Sequence, residues 1–202
     1  MQKAAEFIRK NVSADDFTLS INGSEDLLTR FAQNGITQHI TGNKLNVNLS
    51  VSYDSKNGSA SGNTLSKDSL KYLIKTASEM AKLNQPDPEF VRSEPAHILP
   101  EVDNFAQNTA EITVEEIVSN ISLCVKNAES KNAKLSGISQ KHIYDTFLAT
   151  KSGFEGFDRS TQFSHSMTMK REGVETKVSR SVKDHGRFNM QGMIEKLNSQ
   201  FD

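Results

Sequence analysis

The sequence predicts an α+β fold, a mostly antiparallel sheet or sheets packed with about four helices, and three observations carry that expectation. Apolar and polar residues alternate with a period of two in two separate stretches, Phe17 to Tyr53 and Leu135 to Val182. Two well-signalled helices, starting after Ser66 and after Thr113, stand between them. Helically spaced apolar residues close both ends of the chain. A doubly wound parallel sheet would instead alternate strand with helix. The order expected is α, four or five strands, two helices, three strands and a last helix, within one domain over residues 1–202.

The first helix is short, with Ala4, Phe7 and Ile8 on its apolar side, and ends near Asn11. Phe17, Leu19 and Ile21 then alternate with polar residues, and Asn22-Gly23-Ser24 predicts a hairpin turn into Leu27 to Gln33. Asn34-Gly35 predicts a second turn and Gly42-Asn43 a third. The third leads into the clearest strand, where Leu45, Val47, Leu49, Val51 and Tyr53 are separated by Asn46, Asn48, Ser50 and Ser52. Asn57-Gly58 has the composition of a type I′ turn, which would fold Ser59 to Asn63 back onto that strand. The glycine-rich GSASG stretch thus has a folding explanation, and it lacks the Lys-Ser/Thr ending of a phosphate-binding loop.

Ser66 is placed to cap the next helix, with Leu65 and Leu70 as a hydrophobic staple and Leu70, Leu73, Ile74, Ala77 and Ala81 as its buried stripe. Pro86-Asp87-Pro88 opens an irregular crossing over about residues 85–111, long enough that it is expected to run across the surface. Thr113 and Glu116 form a capping box, Ile112 and Ile117 a second staple, and this helix should reach about Lys131. Strands follow over Leu135 to Thr150 and Gly156 to Lys170, with a turn at Ser152-Gly153. If Glu172-Gly173 is a two-residue turn, Phe163 faces Val182, His165 faces Arg180, Met167 faces Val178 and Met169 faces Thr176, all on one face. Met190, Met193, Ile194, Leu197 and Phe201 mark the last helix.

Composition narrows the function classes. With 202 residues and 35% apolar content the chain can bury a core without disulfide or metal support. A formal charge of −1 provides no global field for nucleic acid or an anionic membrane, and no apolar run approaches the roughly 18 residues of a membrane span. The chain reads as soluble and cytoplasmic. Its single cysteine, Cys124, lies on the stripe Ile117, Ile121, Val125, Ala128 and reads as a small buried hydrophobe. The basic residues Lys170, Arg171, Lys177, Arg180, Lys183 and Arg187 are interrupted by acids and accompanied by no aromatic stacking platform, which argues against nucleic-acid binding. His165 and Arg180, paired within an otherwise apolar face, are candidates for holding a peptide carboxylate or a partner, though a sheet-end pair, partly wet or bonded to a neighbouring carboxylate, explains the pattern better.

Residues Leu28 to Leu83 carry, in order, RFAQNGITQ, the alternating strand, GSASGN, LSKDSLKYLIKTASEMAKL and then Pro-Asp-Pro. This segment resembles the N-terminal domain of the TldD/PmbA family, metallopeptidase-related proteins once described as modulators of DNA gyrase. SEPAHILPEVDNF, the Thr113-Val-Glu-Glu helix and Gly153-Phe-Glu-Gly156 continue the resemblance over nearly the whole chain. The family's peptidases resemble one another in a His-Glu-x-x-x-His zinc motif, completed by a cysteine in a C-terminal domain. Here the histidines are followed by Ile40, Ile98, Ile143, Ser166 and Gly186, so the motif is absent, and Cys124 sits in the wrong element to be that ligand. The resemblance therefore implies an excised, non-catalytic N-terminal domain that helps enclose a peptide. Zinc, if present, would belong to a C-terminal domain, and the partners would be that domain, a homologous subunit and the peptide. The alternatives are the domain of a metal-free PmbA-like partner subunit or a stand-alone binding module. Arg30 and His39, inside the resembling stretch, are further candidates for facing the second domain.

Overall fold

In the computed structural model, which describes residues 1–93 and 95–202, one six-stranded sheet runs in the order β3-β2-β1-β4-β5-β6. The chain forms α1 (Gln2–Asn11), β1 (Asp16–Ala32), β2 (Gly35–Tyr53), β3 (Lys56–Gly62) and α2 (Lys67–Leu83). Among the described residues the crossing holds the short α3 (Gln107–Ala110), and Glu94 within it lies outside them. Then come α4 (Val114–Ser130), β4 (Lys134–Thr150), β5 (Glu155–Arg171), β6 (Val174–Val182), a single 3-10 turn at His185–Arg187 and α5 (Met190–Phe201). The two expected strand groups are thus joined into one α+β sheet by β1 beside β4. Those two strands run antiparallel: Lys151 N–H donates to Phe17 O near one end, and Asn34 N–H donates to Leu135 O at the other. Contacts divide the residues into two compact units, 1–24 with 44–103 and 144–159, and 25–43 with 104–143 and 160–202.

The first unit buries Ala4, Ala5 and Ile8 of α1 with Phe17, Leu19 and Ile21 of β1, Val47, Leu49 and Val51 of β2, and the α2 stripe Leu70, Leu73, Ala77 and Ala81. Ser66 caps α2 as expected, its hydroxyl accepting from Ser69 N–H at 3.2 Å. The small residues before α2 serve packing. A Cβ at Gly58 would lie 2.2 Å from Ala77 O and 2.3 Å from Ala81 N, so α2 rests on bare β3 backbone there. Gly62, four residues on and on the same side by strand alternation, meets the Leu73 methyls at 3.6 Å or more.

Four expected turns are corrected by this arrangement. β1 does not fold back at Asn22-Gly23-Ser24; buried Leu27, Thr29 and Phe31 keep the odd-numbered parity of Phe17, Leu19 and Ile21, and the strand continues. Nor does β2 break at Gly42-Asn43. The β2–β3 turn is made by Asp54 and Ser55, at φ 48° and 62°, three residues before the expected Asn57-Gly58. Val51 pairs with Gly58 and Tyr53 with Lys56 as a result. Asparagine-glycine composition had suggested backbone freedom, whereas Gly58 is needed for close approach. The turn near Asn34 is also one residue early, with Gln33 and Asn34 at φ 53° and 66°.

The second unit follows the sequence more closely. Thr113 and Glu116 complete the capping box, and Ile112 and Ile117 are both buried in its core with Ile121, Cys124 and Ala128 of α4. All five marked residues of α5 are buried there too. The β5–β6 register is the expected one, pairing Phe163 with Val182, His165 with Arg180, Met167 with Val178 and Met169 with Thr176. The shared face is not uniformly covered: His165, Met167 and Met169 are buried, while Arg180 is exposed.

Gly58→Ala should destabilise the chain by about 3 kcal/mol or more, because backbone and not a flexible side chain must move. Gly42→Ala, with nothing within 4 Å of the added methyl, should change stability by no more than ~0.5 kcal/mol. Urea denaturation of both variants measures the contrast.

Candidate functional site

A concavity lies where the crossing that begins at Pro86 passes the ends of β1 and β2. Its course is set by short local bonds. Asn84 at the end of α2 donates to Asn57 O at 2.6 Å, Asp87 N–H donates to Ser55 O at 2.8 Å, and Asn57 donates to the Asp87 carboxylate at 3.3 Å. Asp87 also accepts from Glu89 N–H at 2.9 Å, an Asx turn of the kind aspartate favours. The segment then reaches Ser93, whose N–H and hydroxyl donate to the two oxygens of Asp16 at 2.5 and 2.6 Å. Phe17 N–H supplies a third donor to that carboxylate at 2.9 Å. A buried carboxylate needs such donors to stay charged without a large desolvation cost, and Asp16 is 8% exposed.

Between these parts lies a cleft of about 330 Å³, lined among others by Asp16, Ser50, Ser52, Asn57, Asp87 and Glu89. Asp87 and Glu89 are exposed, Asp16 and Ser52 buried, so acids occur at both depths. Ser52 is 3% exposed, and its hydroxyl has no hydrogen-bond partner among the described residues. Nearly all buried polar groups find a partner, which makes this hydroxyl informative. Alternation in β2 signalled Ser52 only as a wet-face residue, and nothing in the sequence indicated that the crossing would meet Asp16.

The candidates drawn from sequence lie elsewhere. His165 is 1% exposed, with Nδ1 2.6 Å from Ser139 Oγ. Its ring stacks on Phe31 at 5.7 Å and meets Phe188 edge-on at 6.2 Å, while Nε2 is buried with no partner among the described residues. Burial pushes its pKa down to about 4. Arg180, its register partner, is exposed, so the pair has one member in the core and one in solvent. Arg30 is exposed; its carbonyl accepts from the Thr37 hydroxyl at 3.4 Å. His39 is also exposed and has Nδ1 2.8 Å from the buried Thr29 hydroxyl. None of these four lines the cleft, although Arg30 lies on β1 and His39 on β2, the strands that supply Asp16 and Ser52.

No group of three or more His, Cys, Asp or Glu side chains suited to a metal ion occurs among the described residues. The residues present do not fit a zinc centre, which needs several converging N, S or O ligands. Cys124 is 1% exposed, its Sγ lies 3.3 Å from Met190 Sδ, and burial pushes its pKa up to about 12, so it is a packed thiol and not a reactive one. No described helix is long and apolar enough to cross a membrane.

Compared with known proteins, the sequence matches no family model and no curated protein. Solved structures do match. TldE from Thermococcus kodakarensis superimposes with a TM-score of 0.83 at 18% identity, over 98% of this chain and 45% of that one. A Thermotoga maritima protein described as a proposed modulator of a DNA gyrase gives 0.82 at 12% identity, over 98% and 46%. A Bacteroides thetaiotaomicron protein with a similar description gives 0.80 at 17% identity, over 99% and 48%. The chain therefore has the fold of these proteins and spans just under half the length of each. The fold implied by the resemblance of Leu28 to Leu83 is the fold observed.

Because His165 holds its pKa near 4 against an ordinary 6.5, the unfolded chain binds a proton that the folded chain resists. Its neutral form stabilises the fold fully above about pH 6.5, and that contribution is lost as pH falls toward 4. His185 is shifted down by burial, opposed by Glu116 and Asp184, and acts in the same direction. Thermal midpoints should therefore drop across this window. His165→Phe should flatten the drop while lowering stability at neutral pH by about 1–3 kcal/mol, since the Ser139 hydroxyl loses its partner.

Proposed function

We propose that this chain is the non-catalytic N-terminal half of a TldD/PmbA-type protein that helps enclose a peptide during proteolysis or peptide maturation, with the cutting done by zinc held in a C-terminal domain. The observation that carries this reading is the fold match over 98% of this chain and 45% of TldE. The partners in this reading are the C-terminal domain, a homologous subunit and an extended peptide. β6, which ends the strand order, offers an outer backbone edge on which such a peptide could add as a strand. The single cysteine, which can form no internal disulfide, supports a cytoplasmic setting.

Incubated with zinc and an unstructured peptide, the 202-residue chain should yield no cleavage products by mass spectrometry. Zinc-dependent cutting by this chain alone would overturn the proposal. Coding sequence beyond Asp202, or that of a homologous subunit that copurifies, should carry His-Glu-x-x-x-His; its absence from both would also sink it.

A further inference from the structure

The cleft beneath the crossing is a binding site that the fold match does not assign, and we propose that it takes a primary ammonium group. Three carboxylates, Asp16, Asp87 and Glu89, line it, and no Lys, Arg or His does so among the described residues. Like charges placed around one concavity concentrate cations there. The independent pointer is Ser52, a residue only 3% exposed that lines the cleft and whose buried hydroxyl lacks a partner among the described residues. A ligand that donates hydrogen bonds would satisfy it.

The geometry selects among cations. A divalent metal needs several oxygens converging at about 2.0–2.6 Å, and the carboxylates are not gathered in that way. A guanidinium favours a free carboxylate fork. Asp16 has no free fork, because Ser93 already occupies one oxygen through its N–H and the other through its hydroxyl. Asp87 is similarly engaged, by Glu89 N–H on one oxygen and Asn57 on the other. Glu89 alone, exposed, keeps both carboxylate oxygens unengaged among the described residues; the other acceptors, on Asp16, Asp87, Ser50 and Ser52, stand singly and form no second fork. An ammonium, a compact charge with three diverging donors, uses such points. A volume of about 330 Å³ admits the group with a short chain attached. The amine could come from a polypeptide N-terminus or from a lysine side chain, and the inference stands independently of peptide enclosure.

The test is titration of the isotope-labelled chain, followed by amide NMR shifts, with three probes: tetra-alanine amide bearing a free N-terminus, its N-acetylated form, and N-acetyl-lysine methylamide. At least one free-amine probe should shift the amides of Thr18, Ser52, Asn57 and Glu89, and the acetylated tetrapeptide should not. Which free amine binds identifies the source. Binding should weaken with added salt. Glu89→Lys should reduce affinity by about tenfold and Glu89→Gln by about threefold, since a charge pair at this exposure is worth on the order of 1 kcal/mol. The Glu89 carboxylate makes no bond that holds the fold among the described residues, and matched thermal midpoints confirm that a loss is one of binding. Equal binding of the acetylated probe, no response to either amine at millimolar concentration, or displacement of the amine by calcium with the same amides shifted would each overturn the proposal.

Discussion

Much of the first unit follows from one steric constraint, the approach of α2 to bare backbone at Gly58. With Ala77 O and Ala81 N that near to where a Cβ would stand, α2 can lie on β3 only if this position has no side chain. The approach fixes where the helix ends relative to the β2–β3 turn. Asn84 then reaches Asn57, and Asp87 reaches Ser55. Those bonds launch the crossing on the path that brings Ser93 onto Asp16. The cleft is thus a consequence of helix-on-strand packing several residues away from it.

The second unit is organised differently, around aromatic and sulfur-rich packing that encloses a neutral imidazole. Phe31 and Phe188 flank His165, Phe163 meets both Phe188 and His185 edge-on, and Met167 and Met169 continue the buried row. A histidine in such surroundings is held in one ionisation state by lack of water, with a single polar partner in Ser139. Shape and desolvation do there what charge and backbone bonding do around the cleft.

Legibility followed the range of the interactions. The Thr113 capping box, the Ser66 cap, the α5 stripe and the β5–β6 register were all readable, because each depends on residues close in sequence or on two apolar patterns meeting across one turn. The turns in the first half were not. Asn57-Gly58 and Gly42-Asn43 have turn composition, yet one packs under a helix and the other continues a strand, since tertiary contacts and strand parity outweighed local preference. Asp16 and Ser52 could not be recognised as site residues for the same reason: Asp16 meets Ser93 across 77 positions of chain.

The sequence by itself determined the α+β class, the helix starts, the last hairpin's register and, through RFAQNGITQ to Pro-Asp-Pro, the resemblance that the fold match supports. Those features rest on period, capping and composition, which are local properties. Only the tertiary structure decided that Gly58 of GSASG serves a close helix approach, that β1 and β2 run unbroken, and that an acidic cleft with a serine hydroxyl unsatisfied among the described residues forms under the crossing. Each of these depends on which distant backbone arrives at a given residue, and that is settled by packing.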